Sequence, residues 1–316
     1  MSLELSEKTI EFLEDAPIFF QPWWLQAVSP DNWGAAVVKR GEEIAGVWPY
    51  TYKLKLGRFR IQDSPLVYSY AGPWLRESTA KHAKRLGEEK DLIFELIEKL
   101  PQFASFQQWF HPSITNWLPL YWKGFTQTTR YTYIIDGDMQ RNSAVWDAML
   151  TKIRGDIRKA EKSLRVVEEY DIERFWDLLK VTFSSQELSI PFPEEIFLQF
   201  DTESNKRNRR KILIAVDSQN RPHAGVYLVW DDKTVYAILR GSDPELRKSG
   251  ASSLVAWKAI EFALAEGKRF DFAGSWVESI ERFVRAFGGK QVPFFEISKT
   301  DSKIVKTYRR MYKLVH

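Results

Sequence analysis

The sequence predicts a layered α/β fold, α+β in the sense that helices cover mixed, twisted sheets, built as two similar units in tandem. Three observations predict it. Strand-like runs alternate with helical periodicity along the chain. Two hairpins share one design, with the turn Arg40-Gly41-Glu42-Glu43 in the first and Ser218-Gln219-Asn220-Arg221-Pro222 in the second. Each enters its second strand on an Ala-Gly-Val step, Ala45-Gly46-Val47 and Ala224-Gly225-Val226, and that strand carries Trp48 or Trp230. At 316 residues the chain is long for one compact core. The expected units are 1–137 and 138–316, with a C-terminal tail placed to pack back on the first.

Gln21-Pro22-Trp23-Trp24-Leu25 begins a short helix with Pro in its first turn, where a missing N–H costs nothing. Residues 35–39 and 44–50 form the first hairpin, and 65–70 reads as another strand. Residues 80–100 have the charge pattern of an exposed amphipathic helix, 103–110 return to strand, and 111–123 read as a helix interrupted by Pro119. A strand at 131–136 closes the first unit. One helix over 144–162 opens the second, followed by helices at 172–183 and 194–203 and the second hairpin at 211–217 and 223–231. A strand at 234–240 leads to a helix at 251–267, whose Leu254, Trp257, Ile260 and Leu264 share one face. A strand at 269–272 and a helical pattern ending at Phe287-Gly288-Gly289 complete the unit.

Hydrophobic residues at 44% and charged residues at 28% are globular proportions, and 13 Trp call for much buried aromatic area. A net charge of +4 does not by itself indicate a polyanion binder. The basic clusters at 206–211 and 306–313 are either phosphate contacts or solvated surface. Zero cysteines exclude disulfides, thiolate nucleophiles and cysteine-held metals. His82, His111, His223 and His316 have no paired spacing, so no metal is expected. The acidic first 15 residues do not read as a leader, no run is apolar enough to span a membrane, and the expected compartment is the cytoplasm.

The most informative motif is Arg247-Lys248-Ser249-Gly250-Ala251-Ser252, a helix start reached through small residues. Its first-turn N–H groups and helix dipole suit an anion, hence a phosphorylated ligand; the plain alternative is an ordinary capped helix. Upstream, Arg154, Arg158 and Lys162 fall at i, i+4 and i+8 of one helix face, opposite Ile153, Ile157 and Ala160. That stripe is either solvated surface or a grip for an anionic acceptor. Trp276 is either a stacking platform or core. Backbone N–H groups at 237–240 are available to an oxyanion. No nucleophile–base signature stands out, and Asp271 and Glu278, the acids nearest the Gly274 turn, are left without a role.

The strand, the Gly-containing loop and the helix at 234–267 resemble the GNAT acyltransferase superfamily. Over nearly the whole chain the sequence is similar to its Fem-type (FemAB-like) tandem branch and the related envelope-polysaccharide acetyltransferase-like family. Three stretches carry this: Phe19-Phe20-Gln21-Pro22-Trp23-Trp24-Leu25; Arg154-Gly155-Asp156-Ile157-Arg158-Lys159-Ala160-Glu161-Lys162; and Phe270-Asp271-Phe272-Ala273-Gly274-Ser275 with Phe283-Val284-Arg285-Ala286-Phe287-Gly288. The resemblance implies two GNAT-like domains and an N-acyltransferase moving an acyl or aminoacyl group from acyl-CoA or aminoacyl-tRNA to an amine of an envelope precursor or small metabolite. It places the donor on Leu239, Arg240, Arg247, Lys248, Ser249, Gly250, Ala251 and Ser252. It places the acceptor on Arg154, Arg158, Lys162, Gly274, Ser275, Trp276 and Arg285. Ser252 stands where the loop pattern has Gly or Ala, Val284 stands where the helix pattern has Lys, and the long helical pair that some members use on transfer RNA is missing from the sequence. These departures suit the alternative reading, a non-catalytic binder of a glycan, a phosphorylated ligand or a protein partner.

Overall fold

A computed structural model of the chain describes residues 5–55, 59–62, 67, 70–137, 142–274 and 277–302. They form two compact units, Met1–Arg130 together with the stretch from Pro293, and Tyr131–Val292.

The first unit begins with α1 (Glu7–Glu14), a 3₁₀ turn (Ile18–Phe20) and α2 (Pro22–Val28). The expected hairpin follows as β1 (Trp33–Arg40) and β2 (Glu43–Thr51), then β3 (Lys53–Lys55), β4 (Phe59–Gln62) and β5 (Trp74–Leu75). Then come α3 (His82–Lys99), β6 (Ser105–Trp109), α4 (Leu118–Trp122) and β7 (Thr126–Ile135). Of the helix expected at 111–123 only α4 forms, with Pro119 in its first turn, where its ring obstructs no earlier carbonyl. The strand expected at 65–70 falls largely outside the described residues. β2 lies antiparallel between β1 and β5. Its Trp48 is fully buried, and the indole donates to Gln108 Oε1 at 2.8 Å, so the ring packs without stranding a polar atom.

The second unit holds α5 (Asn142–Ala148), α6 (Thr151–Ala160), β8 (Arg165–Glu168), α7 (Ile172–Ser184) and α8 (Glu194–Lys206). It continues through β9 (Arg210–Val216), β10 (Pro222–Trp230), β11 (Thr234–Ser242), α9 (Ala251–Ala265), β12 (Arg269–Asp271) and α10 (Glu278–Arg285), and ends within β13 (Lys290–Lys299), which from Pro293 belongs to the first unit. Its sheet runs β8-β9-β10-β11-β12-β7, antiparallel except for the parallel pair β11/β12, whose crossover is α9.

The single helix expected at 144–162 is two. Leu150 is extended at the start of α6 and its N–H donates to Ala286 O at 2.9 Å. The turn after α10 lies against that break: Gly288 has φ +79°, and a Cβ there would sit 2.6 Å from Ala148 O. Helical periodicity runs through such a break unseen, because both halves bury the same stripe.

Side chains alternate across the sheet. Leu213, Ala215, Ala224, Val226, Leu228, Val235 and Ala237 face α9 and α6, among Ile153, Ile157, Leu254 and Ile260. The opposite face carries Tyr227 beneath α7 and α8, with ring centroids of Phe175, Phe197 and Phe200 at 5.9, 5.9 and 5.5 Å. On this face Gly225 and Gly241 pair across β10 and β11, and a Cβ on either would lie 3.1–3.2 Å from Leu178 of α7. The first hairpin uses the same device: a Cβ on Gly46 would meet Leu75 Cδ2 at 2.8 Å and Leu96 Cδ1 of α3 at 3.3 Å. The repeated Ala-Gly-Val step therefore has a physical cause in each unit. A helix rests on the backbone at the glycine while the flanking residues fill the other face.

Buried polar groups in the second unit are partnered with carboxylates. Tyr227 donates to Asp201 Oδ1 at 2.9 Å, and Arg210 Nε lies 3.2 Å from the same oxygen as an ion pair, off hydrogen-bond alignment. Tyr236 donates to Asp231 Oδ2 at 2.9 Å, and Asp231 Oδ1 also accepts the amides of Lys233 and Thr234, which closes the β10–β11 turn.

Gly241→Val should lower stability by about 1–3 kcal/mol through overpacking against the α7 backbone, read from the midpoint of urea unfolding; an unchanged midpoint would contradict the close approach. Burial, with help from Asp201 and Asp231, pushes the Tyr227 and Tyr236 phenols well above their usual range. The folded state therefore holds those protons more tightly than the unfolded one. Their contribution is complete below about pH 10 and stability falls as pH rises beyond it. Unfolding free energy followed across that range, with tyrosinate absorbance, should show the decline; a flat profile would refute it.

Candidate functional site

The parallel pair β11/β12 is short. It registers Thr234 with Arg269, Val235 with Phe270 and Tyr236 with Asp271, and then ends, while β11 runs on to Ser242 still paired with β10. From Ala237 onward, the edge of β11 that faced β12 has no strand beside it among the described residues. A bulge at the same place leaves Ile238 out of the β10 register, between the pairs Leu228/Ala237 and Tyr227/Leu239. Leu239 and Arg240, still registered with Tyr227 and Val226 of β10, lie on the stretch of β11 that has left β12. The C-terminal ends of parallel strands are where open α/β sheets bind ligands, and α9 and α10 both begin at this end.

Arg240 spans the opening. Its guanidinium donates to Phe272 O and lies 5.8 Å from the Phe272 ring centroid. Beyond β12 the backbone is left-handed at two successive residues, Ala273 (φ +59°) and Gly274 (φ +60°). Ala273 is strained there by about 1 kcal/mol. Buried Asp271 holds the turn by accepting from Ala273 N at 2.8 Å and from Thr132 Oγ1. That gives Asp271 a positioning role. Ser275 and Trp276 lie outside the described residues.

The loop after β11 enters α9 through a 3₁₀ turn at Arg247–Ser249. Gly250 has φ +82°, and a Cβ on it would lie 2.4 Å from Asp156 O and 3.4 Å from Ala160 Cβ, both in α6. Lys159 of α6 donates to Lys248 O at 2.7 Å. Gly250 is required by this backbone-to-backbone contact. The first amide of the helix, Ala251 N, is met by Ser249 Oγ at 3.3 Å, while the N-cap position itself is Gly250 and carries no capping side chain. The Ser252 side chain is exposed, as are those of Arg247 and Lys248; Arg247 Nη2 donates to Ser185 Oγ at 3.4 Å.

The expected basic stripe divides. α6 ends at Ala160, whose carbonyl accepts from Ser163 N and Leu164 N, so Lys162 lies in the following turn and off the helix face. Arg154 reaches Asp147 at 3.7 Å and Arg158 lies 5.4 Å from the Trp146 ring centroid, both partners being on α5. The apolar face is as expected, with Ile153, Ile157 and Ala160 buried. Val284, at the position where the resembled pattern has Lys, is fully buried in the core around α9. A lysine there would face an apolar interior, and the next residue, exposed Arg285, is held by Glu281 at 2.9 Å.

A further group was not visible in the sequence. Tyr133 of β7, whose carbonyl accepts from Phe272 N, donates its hydroxyl to Glu281 Oε1 at 2.5 Å and accepts from Gln291 Nε2 at 2.9 Å. Burial, then Glu281, pushes the Tyr133 phenol up; the Tyr133 and Arg285 hydrogen bonds hold Glu281 down. Both shifts keep the proton on the phenol at neutral pH. Glu281 and Arg285 lie four residues apart on α10, while Tyr133 and Gln291 come from strands distant in sequence, so local pattern does not join them.

The cluster at 206–211 is consumed by carboxylates: Lys206 and Arg207 by Glu203, Arg209 by Asp232, Arg210 by Asp201 and Lys211 by Glu168. These pairs leave little charge for a phosphate backbone. The cluster at 306–313 lies outside the described residues. Among the described residues no group of three His, Asp or Glu side chains converges to hold a metal, and no helix is long and apolar enough to cross a membrane.

Residues 148–283 match the family model of the acetyltransferase (GNAT) domain. The fold is similar to a crystal structure of FemX, with TM-score 0.67 at 12% identity, covering 93% of this chain and 96% of that one. It is also similar to L-PGS from Bacillus licheniformis, with TM-score 0.55 at 11% identity and coverages of 96% and 94%. A tandem GNAT protein from the clavulanic acid biosynthesis pathway gives TM-score 0.54 at 11% identity, with coverages of 92% and 93%. No curated protein matches the sequence. The chain has the tandem-GNAT fold, and the open edge of β11 and the Gly250 helix start both lie within its matched acetyltransferase domain.

Gly250→Ala should cost about 2 kcal/mol or more, because it combines left-handed strain with a clash against the Asp156 carbonyl. Thermal unfolding of the variant checks this, and a melting temperature equal to the parent's would contradict the contact.

Proposed function

We propose that this chain is an N-acyltransferase whose second unit binds an activated acyl donor along the open edge of β11. The observation that carries the reading is the parting of β11 from β12 after Tyr236 and Asp271 within a GNAT domain. A strand edge released from its neighbour offers backbone N–H and C=O groups to an extended, amide-rich arm such as the pantetheine of coenzyme A. Leu239 and Arg240 border that edge. Arg247, Lys248 and the amides of Ser252 and Ser253 at the start of α9 suit the diphosphate, with Ser249, Gly250 and Ala251 shaping the turn. An exposed Ser252 leaves its amide approachable from the side away from its Cβ.

In the reaction an acceptor amine in its neutral form attacks the donor carbonyl. The C–N bond forms, the tetrahedral oxyanion is met by backbone N–H groups near Ile238, and the C–S bond of a thioester, or the C–O bond of an aminoacyl ester, breaks. The proton lost by the amine leaves to solvent and the departing thiolate or alkoxide takes one up. Tyr133 and Glu281, with their proton held on the phenol, act as a fixed hydrogen-bonded support for the Phe272–Gly274 turn. Gly274, Arg285 and Lys162 are the acceptor contacts this reading favours, with Ser275 and Trp276; Arg154 and Arg158 contribute by orienting α6. The acceptor class is an amine of an envelope precursor or small metabolite, reached from the cytoplasmic side.

Calorimetric titration of the full chain with acetyl-CoA, longer acyl-CoAs and aminoacyl-tRNA tests the reading. One donor class is expected to bind, and Arg247→Ala with Lys248→Ala to weaken it about tenfold, the size of a lost charge-assisted phosphate contact. Silence from every donor would sink it and favour the non-catalytic binder.

A further inference from the structure

The apolar stripe of α10 is longer than the core it packs on. Val277 at the N-cap, Ile280, Val284 and Phe287 recur at steps of three and four, so they share one side of the helix. Toward the C-terminus the stripe is core, with Val284 and Phe287 fully buried. Toward the N-terminus the same side comes out of the core, leaving Ile280 38% and Val277 54% exposed. The charges of α10 lie on another side of the helix and pair with one another, Glu278 with Arg282 and Glu281 with Arg285.

Phe272 fixes where that exposed end stands. Its ring centroid is 5.4 Å from that of Phe287, which is 5.2 Å from that of Phe283. Phe272 also meets the strand that has left β12: Arg240 of β11 donates to its carbonyl and lies 5.8 Å from its ring. One buried side chain therefore joins the stripe of α10 to the freed stretch of β11. Val277 follows Gly274 by three residues, so it lies within about 11 Å of the left-handed turn beside this junction. A lone exposed apolar side chain needs no explanation, but these two extend a packing stripe at the opening where the donor carbonyl is proposed to sit.

What the donor carbonyl carries decides whether they are covered. An acetyl group would leave Val277 and Ile280 in water. An aminoacyl group would set an ammonium against an apolar surface whose nearest helical carboxylates, Glu278 and Glu281, are already paired. An alkyl chain would cover both side chains and gain from the apolar area removed from water. We infer that the donor is the thioester of a medium-chain or longer fatty acid, and that Ile280, with Val277, sets this preference. The inference rests on the acyl-transfer reading and names its substrate class.

The test is calorimetric titration of the full chain with coenzyme A, acetyl-CoA, octanoyl-CoA and aminoacyl-tRNA. A fully buried methylene is worth roughly fourfold in affinity, so partial cover of the longer chain should make octanoyl-CoA bind at least about tenfold more tightly than acetyl-CoA. Ile280→Asn is expected to remove most of that ratio and Ile280→Leu to keep it, with melting temperatures recorded to show that both variants are folded. Silence from all four ligands would overturn the acyl-transfer reading and the inference together. Binding of aminoacyl-tRNA alone, or equal affinity for acetyl-CoA and octanoyl-CoA, would leave that reading standing and overturn the inference, as would a preference that Ile280→Asn leaves intact.

Discussion

The contact of α6 with the start of α9 sets the geometry of the second unit. At Gly250 two backbones approach closer than any side chain permits, with a virtual Cβ 2.4 Å from Asp156 O. Glycine alone satisfies both this distance and a φ of +82°. Once that contact is made, the loop leaving β11 is anchored through Lys159 and Lys248, α9 starts where β11 and β12 part, and its apolar residues drop onto the sheet face shared with α6. The open edge of β11 begins where its pairing with β12 stops, after Tyr236 and Asp271.

Glycines recur as the device that brings helices onto backbones. Gly225 and Gly241 under α7 and Gly46 under α3 mark places where a methyl group would force neighbouring side chains to give way, and at Gly288 it would meet the Ala148 backbone at the end of α5. Each unit thus reaches close packing between layers, where dispersion contacts are most numerous. The same packing explains Val284. A position near a binding turn is occupied by an apolar residue because the helix presents that side to the core, and charge is carried one residue on by Arg285.

Much of the architecture was legible before the structure. Both hairpins, the long helix α3, the pair α7 and α8, and the order β11, α9, β12 follow from periodicity and turn residues. What was missed has a common cause. α1 and β8 are short and charged, β13 follows two glycines that read as an ending, and the break between α5 and α6 is set by Ala286 and Gly288, far away in sequence. Local pattern carries no information about such partners.

By itself the sequence determined the alternation of strands and helices, the duplicated hairpin, the absence of cysteine chemistry and the Gly250 helix start, because each depends on residues within one or two turns of one another. Only the tertiary structure decided which polar groups are available. It assigned the basic run at 206–211 to carboxylates from three different segments, gave Asp271 and Asp231 to backbone turns, joined Tyr133 to Glu281, and left the β11 edge open beyond Tyr236. Whether a charge or an amide is free is a property of pairs, and for Lys211 with Glu168, Arg209 with Asp232 and Tyr133 with Glu281 the second member lies tens of residues away.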